Sequence, residues 1–246
     1  MLVQNNQLVR SLIQNVKNGN KSSFEQLFQM SVGKVYTLCL RLTVDPAFAE
    51  KLTTEVFLTT WRNISFFRED ALFSSWLTGI TTYTILEWMR NKGSIGDNPD
   101  QNKLQQIKVS LNKKNMVRFE VDIQSLPHQE RFTFVLHDIE KYSNDEVADL
   151  LSLTKENVND ILQKAYKLLK SPEEVMDKKA YIDNCLNSLP QIIQPENDIW
   201  KYVFSALNKE QVSELKNSDE HLKESKEKIQ TEKEGKKFGF LNRKKK

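Results

Sequence analysis

Between positions 155 and 167 the chain interleaves three lysines with three amides: Lys155, Asn157, Asn159, Gln163, Lys164 and Lys167. Amide side chains pair with adenine edges, and lysines neutralise phosphates, so the chemistry within reach is nucleic-acid contact. The surrounding charge works against it. Residues 143–170 carry four lysines and five acidic groups, which leaves little of the phosphate attraction that supplies most affinity for DNA. Other chemistry is thin. His128, His137 and His221 are scattered, and none stands at metal-ligand spacing from Cys39, Cys185 or another histidine. No nucleophile–base set, carboxylate pair or phosphate-cradling glycine loop is legible, so neither an enzyme nor a metal or cofactor is expected.

The elements that must position these side chains read as helices. In the segment from Ser143, a hydroxyl is followed three residues later by Glu146, the capping-box signature. The short helix it opens turns Val147, Leu150 and Leu151 inward. Ser152 and Leu153 make a tight turn, and Thr154 caps a longer helix with Val158, Ile161, Leu162, Ala165 and Leu169 on one face. Short helix, tight turn and long helix form a helix-turn-helix, with Ala148 small enough for a close crossing. An ordinary helical hairpin packed in a core has the same pattern. Upstream, Leu8, Val9, Leu12, Ile13 and Val16 make one helical stripe, and Phe24 to Leu42 a longer one. Asp45–Pro46 opens a third helix as cap and first residue. A fourth carries Leu72, Trp76, Leu77, Ile80, Tyr83 and Trp88. Trp61, Trp76 and Leu77 read as core, Cys39 as a small buried hydrophobe, and Phe66, Phe67 and Tyr83 as an exposed base-stacking surface.

Composition and charge frame these elements. The chain has 246 residues, 28% of them charged, and a net charge of +3. The last 40 residues hold 12 basic and 8 acidic side chains, so the rest is near neutral and exerts no general pull on phosphate. The longest uncharged run, Ala71 to Leu86, has 16 residues, short of the ~20 apolar residues of a membrane span. No signal peptide is visible and two cysteines make no disulfide framework, so a cytoplasmic protein without an integral membrane segment is expected. The fold class is all-α: two helical domains, 1–92 and 122–171, joined by a flexible linker, 93–121. An amphipathic extension, 172–209, and a charged, disordered tail, 210–246, follow.

The first block resembles region 2 of the sigma-70 family, in particular the extracytoplasmic-function (ECF) sigma factors. The resemblance rests on YTLCLRLT (36–43), DPAFAE (45–50), EVFLTTWRNI (55–64) and the SWL at 75–77. The second block, from SLPHQERF (125–132) through HDIEKYS (137–143) to TKENVNDILQKAYKLL (154–169), resembles region 4 in nearly ungapped frame. Together they cover about half of the chain, in the family's order. The resemblance implies polymerase contact through Glu50, Glu55 and Arg62, and promoter contact through Tyr83 and Arg90 together with Lys155, Asn157, Asn159, Gln163, Lys164 and Lys167. The implied partners are core RNA polymerase, promoter DNA and an anti-sigma factor. Several family positions are altered. Lys51 replaces an acid and Thr54 a glutamine; Thr82 and Tyr83 stand where a basic residue and an asparagine are usual, and Glu156, Ile161 and Tyr166 where a glycine and two arginines are. These departures suggest an alternative, a sigma-like interaction protein that has lost promoter recognition. The L..LP..I.PE.DIW string of the extension resembles a segment of anti-sigma factors, with two readings open: a peptide that docks on a groove, or a packed C-terminal helix.

Overall fold

The computed structural model describes residues 2–68, 70–92, 118–169, 177–189 and 192–209. The expectations for residues 93–117 as linker and 210–246 as tail lie outside these. Every regular element among the described residues is helical. The chain divides into two compact units, 1–200 and 201–246, and the first carries the features below.

Four helices build its first block. Helix α1 spans Leu2–Lys17 and buries Leu12, Ile13 and Val16, while Leu8 at the head of the expected stripe is exposed. Helix α2, Lys21–Thr43, starts where the Asn20 side chain accepts the Ser23 amide at 2.8 Å. It ends at Val44, whose backbone is left-handed (φ 55°) and whose amide returns to the Leu40 carbonyl at 2.9 Å. A β-branched residue is strained there; full burial of its side chain offsets the strain. Helix α3, Pro46–Asn63, is capped by Asp45, which accepts the Phe48 amide at 3.1 Å. A single 3₁₀ turn, Ile64–Phe66, leads towards α4, Phe73–Lys92.

Aromatic side chains lock this bundle. Phe24 lies edge-on to Phe57 and Trp61, at centroid distances of 6.3 and 5.2 Å, and Phe28 sits 4.6 Å from Phe57. Cys39 on α2 is fully buried, and burial pushes its thiol up to about 12. Phe67 differs from the exposed position expected of it. It is buried, with its ring edge-on to Phe73 and Trp76 at 5.9 and 5.3 Å. A short aromatic run cannot follow one helical face through a 3₁₀ turn, so Phe66 points out while its neighbour points in.

The second block begins earlier than the 122 boundary expected for it. Helix α5 spans Arg118–Gln124, with Phe119 and Glu120 fully buried. Helix α6, His128–Phe134, runs on into a wider π-helical turn, Val135–Ile139. Helix α7, Asn144–Leu151, has the complete capping box: the Ser143 hydroxyl accepts the Glu146 amide, and the Glu146 carboxylate accepts the Ser143 amide at 2.7 Å. Ser152 turns left-handed (φ 56°), and Thr154 caps α8, Lys155–Leu168. Leu136, Val147, Ala148, Val158 and Leu162 form the shared core of this helix-turn-helix. Asp177 caps α9, Lys178–Ser188. Residues 192–198 are extended, and 199–209 are helical.

The two blocks pack on each other. Arg41 on α2 donates from Nε to both Glu120 oxygens at 3.1 Å and from Nη2 at 2.9 Å. Both side chains are almost wholly buried, and Gln124 donates a further bond to Glu120 at 3.1 Å. Arg131, also buried, donates to the carbonyls of Leu126 (2.6 Å) and Leu42 (3.3 Å). Burial lowers its guanidinium to about 10.

Two predictions follow from these contacts. Removing either partner of the buried pair strands a charge, so Arg41→Ala or Glu120→Ala destabilises the chain by about 3–5 kcal/mol in urea titration, whereas Arg41→Met with Glu120→Leu costs far less. The capping-box bonds hold the Glu146 carboxyl below its ordinary 4.5. A depressed carboxylate stabilises the fold above the unfolded value and loses that contribution as pH falls through the folded one. Carboxyl NMR titration of Glu146 therefore gives a midpoint below 4.5, and Ser143→Ala moves it up.

Candidate functional site

Three surfaces of residues 2–200 carry the side chains singled out above. On α3, Glu55 and Arg62 lie two turns apart on an exposed face and pair at 3.2 Å. The seven-residue spacing places them on one side of the helix. Glu50 lies on another side of α3. Its carboxylate accepts two hydrogen bonds from Asn197, from the backbone amide at 3.2 Å and from Nδ2 at 2.6 Å. The structure thus separates the three residues implied for polymerase contact into an open pair and a partnered third.

On α4, Tyr83 is exposed, as is Phe66 on the preceding turn. Two exposed rings on neighbouring elements are suited to stacking on unpaired bases. Arg90, near the end of α4, donates from Nη2 to the Leu150 carbonyl at the end of α7, at 3.2 Å. Beside this contact lies a cleft of about 480 Å³ lined by Leu86, Met89, His128, Phe132 and Leu153 among others. Arg90 is therefore engaged with the second block.

On α8, Val158, Ile161, Leu162 and Ala165 face the core, which turns the whole amide-and-lysine set outward. Lys155 donates to Asp145 at 2.9 Å, and that bond raises its ammonium above the ordinary value. Asn159 accepts from Asn144 at 2.7 Å. Asn157 and Lys164 are exposed. Gln163 and Lys167 border a cavity of about 440 Å³ whose other wall is α9, through Lys178, Lys179, Ile182 and Asp183. The middle of the outward face also carries Glu156 and Asp160, which dilute the positive potential that phosphate would meet. Tyr166 is half-buried on α8. Its hydroxyl donates to Asp138 at 2.9 Å, and burial together with that carboxylate pushes the phenol above its ordinary range. It braces α8 against the π-helical turn.

Sequence reasoning missed the residues that hold these surfaces in place: Arg41, Glu120 and Arg131, and Gly33, Thr37 and Asn197 around the extension. One signal was present. Arg41 follows Leu38, Cys39 and Leu40 on a stripe that is otherwise apolar, and a buried charge needs a partner. Among the described residues, no cluster of three histidine, cysteine or acidic side chains is placed to hold a metal ion, and no helix is long and apolar enough to cross a membrane.

Residues 27–95, from α2 through α4 and just beyond it, match the family model of sigma-70 region 2. The chain is 25% identical over 163 residues to the ECF RNA polymerase sigma factor SigW of Bacillus subtilis, a match covering 59% of this chain and 86% of that protein. It is 28% identical over 139 residues to the ECF RNA polymerase sigma factor SigE of Mycolicibacterium smegmatis, covering 53% and 54%. Among solved structures, CnrH in complex with the cytosolic domain of CnrY aligns at a TM-score of 0.44 and 19% identity, over 72% of this chain and 98% of that one. Residues 27–95 thus match sigma-70 region 2, and over more than half of its length the chain is similar to ECF RNA polymerase sigma factors.

Proposed function

We propose that this chain acts in the cytoplasm as a sigma factor in full: it binds core RNA polymerase through the outer face of α3 and directs it to promoter DNA. Residues 1–92 do the work of region 2 and residues 118–171 that of region 4. Glu55 and Arg62 meet the polymerase, with Glu50 joining them. Phe66 and Tyr83 take up bases of the opened strand. Helix α8 enters the major groove of the upstream element, with Asn157, Asn159 and Gln163 towards base edges and Lys155, Lys164 and Lys167 towards phosphates. Arg90 contributes once it leaves Leu150. An anti-sigma factor is the further partner that the resemblance implies.

The observation that carries this reading is the outward set on α8. A helical hairpin that served only as packing has no need of three lysines and three amides on its solvent face. Here every one of the six lies there, while the apolar residues between them close the core. The acidic residues on the same face set the strength expected. Three lysines at phosphates give a slope of log K against log salt near −2.7, shallow for a promoter-binding protein.

Purified chain is expected to retain core RNA polymerase in a pull-down and to give discrete run-off transcripts with it. Glu55→Lys combined with Arg62→Glu abolishes the retention. Retention without transcripts at any promoter would favour instead a sigma-like protein that has lost promoter recognition. In a second measurement, Lys164→Ala reduces the slope of log K against log salt for upstream-element duplex by about 0.9, the loss of one phosphate contact. An unchanged slope removes Lys164 from the interface.

A further inference from the structure

The extension reaches across α2 to a residue assigned above to the polymerase. Residues 192–198 run extended over the middle of α2. Ile193 is buried, and its amide donates to the Thr37 hydroxyl at 2.6 Å, while that hydroxyl donates to the Gly33 carbonyl at 2.6 Å. The crossing is close because position 33 is glycine. A Cβ there would collide with Ile192 and press on Gln194. Glycine inside a helix costs about 1 kcal/mol relative to alanine, and this contact gives it a use. Further along, Asn197 takes both oxygens of Glu50. Trp200 then stacks beside Phe28 and Phe24, at 5.1 and 6.1 Å. Upstream of this strap, α9 lies beside α8, where Lys178 donates to the Lys167 carbonyl at 3.2 Å.

We propose that residues 177–189 and 192–200 are a built-in inhibitory clasp: the strap occupies the α2–α3 surface around Glu50, α9 stands beside the Gln163–Lys167 edge of α8 and is tied to it through Lys178, and core RNA polymerase must displace the strap to bind. The inference rests on the reading that α3 is the polymerase-binding face. The strap is held by buried Ile193 and Ile199, by one buried hydrogen bond and by Trp200 against Phe24 and Phe28, while the Asn197–Glu50 pair between these anchors is exposed and is the part that water can replace. Glu55 and Arg62 stay open beside the strap, so polymerase can begin to engage α3 before the Glu50 side is released. The chain thus exists as a closed majority and an open minority, and its apparent affinity is the intrinsic affinity multiplied by the open fraction.

The test titrates fluorescently labelled core RNA polymerase with the full chain and with two full-length strap variants. Asn197→Asp places a carboxylate against Glu50, and Ile193→Asp removes one buried anchor. Both are expected to bind about tenfold more tightly than the unaltered chain, the gain when an open form populated to about a tenth becomes dominant. Hydrogen exchange of the Ile193 amide gives a second readout that needs no substitution. It is slow in the free chain and becomes fast in the polymerase complex. Equal or weaker binding by both variants overturns the clasp and leaves the sigma-factor reading standing, as does retained protection of Ile193 in the complex. Failure of all three chains to bind polymerase overturns the sigma-factor reading and the clasp with it.

Discussion

The joint between the two helical blocks turns on Arg41 and Glu120, an ion pair with both side chains buried. A charge pair with both members out of water has no tolerance for a loose fit, because each partner stripped of the other faces a desolvation cost of several kcal/mol. The pair is therefore less a source of stability than a condition of assembly. Helix α5 can dock on α2 in one register only, the one that presents Glu120 to Arg41 and lets Gln124 bond the same carboxylate. Arg131 repeats the device one helix later with backbone carbonyls as acceptors, one of them Leu42 on α2. With α5 and α6 thus fixed, the helix-turn-helix that follows has a defined seat, and Arg90 meets Leu150.

The surfaces proposed for polymerase and DNA sit on different elements of one unit: the exposed pair on α3, the rings of Phe66 and Tyr83, and the outward face of α8. A sigma factor on its promoter must contact two DNA elements and an enzyme at once, which calls for separated surfaces on a scaffold that can rearrange. The interior of each block is aromatic and aliphatic and makes a durable body. The joint between the blocks adds buried polar contacts, Arg41 with Glu120 and Arg131 with the Leu42 carbonyl, each of which needs its partner in place.

Local chemistry was legible in the sequence and distant chemistry was not. Asp45 before Pro46, Ser143 before Glu146, and Thr154 all cap the helices they were expected to cap, because a cap involves only its own three or four neighbours. The α8 core face was equally plain, since period and burial coincide. The site residues were implied by the resemblance, and nothing local to them announced their partners. Glu50 and Asn197 are 147 positions apart, and Arg41 and Glu120 are 79 apart. No pattern within a window of two turns connects them. Phe67 shows the same limit at short range, because a 3₁₀ turn breaks the period by which its direction was judged. The start of α5 at Arg118 was hidden for a related reason. Its seven residues are too few for a clear period, although Phe119 and Ile123 are buried one turn apart and Glu120 is answered from α2.

The burial of Cys39 has a practical side. The chain contains two cysteines, and a thiol reacts as its thiolate. Cys39, enclosed in the first block with its ionisation pushed up to about 12, stays inert at neutral pH. Cys185, on α9, is only partly covered. Without any engineering, a thiol-directed dye or spin label will therefore report from α9, within the extension itself.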